Sequence, residues 1–205
     1  MPENTEPIGE IIETATQDFL AESLTLHQPP LLGELVKVQV NREDYCYAVV
    51  SYASTSSPDA GRRAVRRSSE SVVDEAVYAS HPQLNRLLQT TFRAILTGWS
   101  DAGVSSAAIR QSLPPTPPPL HHSTYRCTPE AVRRFTDQLL YFRLILACVR
   151  EVPTEQVLAG HIRYVYALRG NDEPWLSRAA QEVASLLKND HERLLTLLYA
   201  IDPQH

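Results

Sequence analysis

The hydrophobic positions of this chain follow two different periods. In the first fifty residues they come in short, closely spaced runs: Ile8 to Ile12, Phe19 to Leu24, Leu32 to Val40 and Tyr45 to Val50. Pro29-Pro30 and the polar stretch Asn41-Arg42-Glu43-Asp44 separate them. Short β-branched and aromatic runs bounded by turn residues predict the strands of a small antiparallel barrel or sandwich. In Val36-Lys37-Val38-Gln39-Val40 the valines fall on one face and the polar residues on the other, so a half-buried strand is expected. The run Tyr45 to Tyr52 is apolar on both faces. Tyr45, Tyr47 and Val49 share one face and Cys46, Ala48 and Val50 the other, which predicts cover from the barrel interior and from the helices that follow.

After Tyr52 the pattern lapses. Residues 54–71 are rich in serine and arginine and too poor in apolar side chains to form a core, so an exposed loop is predicted there. A short helical stretch opened by His81-Pro82 carries Leu84, Leu87 and Leu88, and Thr91 to Thr97 alternates as a return strand ending at Gly98. Residues 113–120, Leu-Pro-Pro-Thr-Pro-Pro-Pro-Leu, hold five prolines in six positions. Such a segment is excluded from helix and central strand and favours extended polyproline II geometry. It contains a PxxP pattern, but a stiff strap tying barrel to helices is the expected role.

From Thr128 onward the period becomes helical. Thr128 is suited to cap a helix with Pro129 in its first turn. Val132, Phe135, Leu139, Phe142, Leu146 and Val149 follow at spacings of three and four, predicting one continuous helix. Leu158, Ile162, Val165 and Leu168 form a second stripe that stops at Gly170. A third helix is expected after Asp172, with Leu176, Ala180, Val183 and Leu187 inward, and a fourth after Asn189 or Asp190, with Leu194, Leu198 and Ile201 inward. The short connections predict an antiparallel four-helix bundle. The expected architecture is therefore α+β: a small antiparallel barrel over residues 7–125 and a helical bundle over residues 128–202.

The segment from about residue 7 to 125 resembles the HAS barrel, the domain shared by HerA-type DNA-translocating ATPases and the N-terminal crown of ATP synthase subunits. The barrel, the proline strap and the run Ala184 to Asp190 together also look like an uncharacterised cyanobacterial protein family that carries this domain. The resemblance implies a barrel that assembles rings and docks partners while a separate motor domain does the chemistry. It brings no activity with it.

Composition narrows the function classes. The chain has 205 residues, 43% hydrophobic and 21% charged, as in an ordinary globular protein. A net charge of -5 argues against reaching nucleic acid or an acidic membrane by bulk charge. No apolar run approaches the roughly 18 residues of a membrane span, and no leader peptide is expected. Three cysteines, Cys46, Cys127 and Cys148, without a CxxC pair suit a reducing, cytoplasmic setting.

Candidate chemistry is sparse. None of the seven glycines forms a GxxxxGK[ST] loop, and the only lysines, Lys37 and Lys188, follow no glycine-rich turn. The nucleotide site of the HAS-barrel ATPases is thus not carried over, and no cofactor is expected. No histidine, cysteine and carboxylate set has metal-ligand spacing. His121 and His122 should point apart in extended chain, and His161 reads as a hydrogen-bonded core histidine. No catalytic residue is assigned. The one local charge anomaly is Arg62, Arg63, Arg66 and Arg67, four guanidinium groups in six residues. Arginine suits bidentate contact with carboxylate or phosphate, so the cluster is the candidate for docking an anionic partner, against the plainer reading of a solvated loop. The expectation is a non-enzymatic assembly or docking factor with a protein partner, with oligomerisation left open. The alternative is an accessory protein of DNA processing that binds a nuclease or translocase and contacts phosphate through the arginines.

Overall fold

The computed structural model describes residues 6–41, 44–59, 64–100 and 109–201. The strands are β1 (Pro7–Thr14), β2 (Asp18–Ser23), β3 (Leu35–Gln39), β4 (Tyr45–Ser56), β5 (Gln89–Ser100), β6 (Ile109–Arg110) and β7 (Ser123–Arg126). Every pairing is antiparallel, in the order β2-β1-β7-β3-β4-β5, and β2 also pairs with β5. That last pairing, with Phe19 opposite Ala94 and Ala21 opposite Phe92, closes a six-stranded barrel. β6 adds to the outer end of β5.

The two-period alternation decides what lies inside. Ile11, Phe19, Val36, Val38, Phe92 and Leu96 form one fully buried cluster that fills the barrel, joined by Cys46, Ala48 and Val50 from β4. The opposite face of β4, Tyr47 and Val49, belongs with Leu35 and Ile95 to a second cluster built mainly from helical side chains. The two-faced burial expected of β4 is therefore met by the chain's own helices. β3 differs from expectation. Its polar face is not solvated: Lys37 is buried, its ammonium lies 5.1 Å from the Tyr45 ring centroid, and Tyr47 and Tyr125 stand opposite it on the neighbouring strands. Its charge meets the π face of Tyr45.

Two boundaries also move. β4 continues through Ser54 to Ser56, paired with β5, so the polar segment begins three residues later than its composition suggests. β5 runs through Gly98 to Ser100 because that glycine leaves room for Phe135, whose ring would lie 2.8 Å from a Cβ there. The proline strap joins β6 to β7, two strands of the same sheet, and not barrel to helices. Pro114 and Pro118 are buried, and the Pro118 carbonyl accepts a 2.7 Å bond from the Thr14 hydroxyl.

The C-terminal region has five helices where the sequence predicts four: α3 (Pro129–Phe135), α4 (Phe142–Ala147), α5 (Thr154–Leu168), α6 (Glu173–Leu186) and α7 (His191–Ile201), numbered after two short helices, α1 (Glu75–Ser80) and α2 (Leu84–Leu87). The continuous stripe expected from Val132 to Val149 is broken at Thr136. The carbonyls released there are capped from afar. Gln111 Nε2 donates to the Phe135 and Gln138 carbonyls at 2.7 and 2.9 Å, and Trp175 Nε1 donates to the Thr136 carbonyl at 2.8 Å. The break turns Tyr141 into the core in place of Leu140 and Val149, which are exposed. The other caps are as read from sequence. Thr128 Oγ1 accepts from the Ala131 amide, Asp172 Oδ1 from Trp175 and Asp190 Oδ1 from Arg193, and Gly170 ends α5 with φ +75°. On α6 the buried positions are Trp175, Ala179, Val183 and then Leu187, with Leu176 and Ala180 at the margin.

Barrel and helices are locked at two buried polar junctions. In the first, Gly33 (φ +84°) passes so close to α5 that a Cβ would lie 2.3 Å from the His161 nitrogen. Its carbonyl accepts from His161 Nδ1 at 2.7 Å, so Nε2 carries the lone pair and accepts from the Tyr141 hydroxyl, also at 2.7 Å. In the second, the buried Asp18 carboxylate of β2 accepts from Arg93 of β5 at 3.1 Å and from Arg150, between α4 and α5, at 2.8 Å.

Candidate docking groove

A concavity of about 540 Å³ lies beside the end of β4 and the start of β5, lined by residues of the segment that joins the two strands. Its walls follow from the chain's course. β4 ends at Ser56, and the polar segment returns past Ala64, Val65, Arg66, Arg67 and Ser68. α1 then contributes Val77 and Tyr78, and α2 contributes Leu84 and Leu87, followed by Leu88 immediately before β5 begins. Neither α1 nor α2 has a buried residue. Their apolar side chains consequently form a half-open floor, with Leu87 45% exposed and Val65 at the rim 71% exposed.

The short helices are tethered to the barrel from the β2–β3 connection. His27, with φ +62°, donates its amide to the Thr90 hydroxyl at 2.8 Å, and its Nε2 is 2.7 Å from the Tyr78 hydroxyl. The two rings meet edge to face at 5.2 Å. A one-turn helix with no core residue is marginal alone, so this contact and the continuity of α2 into β5 hold the floor in place.

Two arginines of the cluster line the groove. Arg66 Nε donates to Ser68 Oγ at 3.1 Å, and neither Arg66 nor Arg67 has a carboxylate within ion-pair distance among the described residues. Both are exposed. Arg62 and Arg63 lie outside the described residues. Asp74 is the acid of the lining. It precedes α1 with φ +50°, and its carboxylate makes no capping hydrogen bond. The arrangement sets two guanidinium groups, without an ion pair among the described residues, and one carboxylate over an apolar floor.

The histidines that the sequence singles out are hydrogen-bonded within the chain. His121 bonds the Glu10 carboxylate through Nδ1 at 2.7 Å, and His122 donates to the Gln39 carbonyl at 2.7 Å, so the adjacent pair does point apart. His161 is completely buried. Desolvation lowers its pKa to about 4 against the opposing pull of the Gly33 carbonyl, and the ring is neutral at pH 7. The three cysteines are buried and none is in a disulfide among the described residues. Burial, aided by Asp44, pushes the Cys46 thiol up to about 11, and burial with Asp18 raises Cys148 against the opposing Arg150. Among the described residues no group of three or more histidines, cysteines or carboxylates is placed to hold a metal ion, and no helix is long and apolar enough to cross a membrane.

Sequence reading locates the arginines and the leucines of α2 but misses Val77 and Tyr78. The six-residue α1 is too short to show a period, and its only local signal is Asp74-Glu75 ahead of Ala76-Val77. Comparison with protein-family models gives no match, and no curated protein matches the sequence.

Proposed function

We propose that this chain is a docking or assembly factor without catalysis of its own, engaging a protein partner through the barrel and the groove beside it. The observation that carries this reading is the groove itself: a partly exposed leucine and valine floor overhung by Arg66 and Arg67, which have no acidic partner among the described residues. Apolar area gives an interface its adhesion, and guanidinium groups give it orientation and rate. A closed barrel with short helices inserted before its last long strand accords with the resemblance to the HAS barrel, whose relatives use it to assemble and dock. Three buried cysteines without a disulfide among the described residues accord with a reducing, cytoplasmic setting.

The experiment is affinity capture from native lysate with mass spectrometric identification. Wild-type protein is set beside a variant with Arg62, Arg63, Arg66 and Arg67 all changed to alanine. The docking reading expects a specific partner that the variant loses while keeping its unfolding midpoint. Equal recovery of the same partners at every salt concentration returns the cluster to a solvated loop.

The second reading, an accessory of DNA processing, rests on the same unpaired arginines meeting phosphate. It requires DNA affinity that falls steeply and linearly on a log–log salt plot, because neutralised phosphates release counterions.

A further inference from the structure

We infer that the groove takes a short acidic peptide segment with apolar side chains at alternate or helically spaced positions, the carboxylates meeting Arg66 and Arg67 and the apolar side chains the floor of α1 and α2. This rests on the docking reading and adds the chemical class of the occupant. Three features of the lining select it. Arg66 and Arg67 are exposed, and each offers a planar fork of donors suited to a carboxylate, with no acid of this chain engaging either among the described residues. Val77, Leu84 and Leu87 beneath them offer nothing to a phosphate or a sugar, but they would bury aliphatic or aromatic side chains of a peptide. The Asp74 carboxylate, free of capping duty, opposes a polyanion and accepts from a peptide amide or a basic side chain. At about 540 Å³ the groove is within the roughly 300–1,000 Å³ range of formed binding sites, large enough for several side chains of one segment.

A single nucleic-acid strand fits the same surface poorly. Strand-binding grooves combine a continuous basic track with aromatic platforms on which bases stack. Here the one aromatic ring of the lining, Tyr78, already packs against His27 and has its hydroxyl bonded there. The carboxylate of Asp74 interrupts the positive charge. The local charges decide, because at physiological ionic strength charges more than about 8 Å away are largely screened.

The test is selection of the full chain against a random peptide library, with binding then measured on the recovered sequences. The expected result is enrichment of aspartate and glutamate interspersed with leucine, isoleucine or phenylalanine, with affinity at least tenfold weaker for the Arg66→Ala, Arg67→Ala double variant. Leu87→Ser should reduce the apolar preference while keeping the acidic one. A charge-reversed protein, Arg66→Glu with Arg67→Glu, should select basic peptides in place of acidic ones. Peptides recovered without acidic enrichment, or unaffected by charge reversal, would overturn the inference while leaving docking elsewhere on the barrel to the capture experiment. Tight, salt-sensitive binding of an oligonucleotide that the double variant loses would overturn it in favour of phosphate.

Discussion

His161 ties acid stability to the junction between barrel and helices. Its imidazole is fully buried between the Gly33 carbonyl and the Tyr141 hydroxyl, and its pKa falls from the ordinary 6.5 to about 4. Protonation would add a donor at Nε2 facing the Tyr141 hydroxyl that donates to it, inside an apolar shell that includes Phe142, whose ring centroid is 6.5 Å away. The unfolded chain therefore binds this proton more readily than the folded one, and stability must fall as pH drops. The loss begins near pH 6.5, where the unfolded histidine starts to charge, and levels off near pH 4, where the folded one does. At 1.36 kcal/mol for each pH unit of that window, the group contributes about 3 kcal/mol of acid sensitivity. Urea unfolding at several pH values between 7 and 4 measures the slope, and His161→Gln isolates it. That variant keeps a donor and an acceptor but cannot titrate. It is expected to be less stable at pH 7 and much flatter with pH, the difference between the two curves shrinking by about 3 kcal/mol on acidification. Parallel curves for the two proteins would refute the buried, neutral histidine.

Three further substitutions probe the framework. Phe142→Ala should cost about 3–5 kcal/mol, because the ring is completely buried against Tyr141; a melting temperature unchanged by this substitution would put α4 outside the core. Asp18→Asn should cost about 3 kcal/mol, near the low end for breaking a buried ion pair, because Arg150 still reaches water and Arg93 keeps Glu13 at 3.7 Å and Glu151 at 3.6 Å; an unchanged unfolding midpoint would contradict the junction. Gly33→Ala forces a Cβ onto the backbone of α5 at a positive φ and should abolish cooperative folding, whereas the same change at Gly170, also at positive φ but with nothing within 4 Å, should cost only about 1 kcal/mol; equal effects in thermal melts would contradict the close approach.

The strands were legible because the barrel interior imposes a period of two, and the caps at Thr128, Asp172 and Gly170 because they act within one turn. What local pattern could not show was long-range capping. The stripe through Val132, Phe135 and Leu139 is periodic enough to continue as one helix, and it stops because Gln111, Trp175 and Arg169 bond the carbonyls and hydroxyl around Thr136. The same limit hid Lys37, which alternates as a solvent residue but is covered by tyrosines of neighbouring strands. The groove was half legible. Arg66 and Arg67 stand out by composition, yet only the fold sets them over Val77, Leu84 and Leu87. The return of β4 through Ser56 and the tether from His27 to Tyr78 are tertiary facts.

The central claim, that this groove docks a protein segment, is most directly tested by crosslinking at its floor. A photo-reactive amino acid placed at Leu87, 45% exposed and unneeded by either core cluster, should capture a protein partner in lysate at a defined peptide. The account predicts that capture disappears when Arg66 and Arg67 are changed to alanine and persists with the same probe at exposed Val149 only as background. Crosslinking at Val149 that equals that at Leu87, or capture at Leu87 indifferent to the arginines, would contradict it.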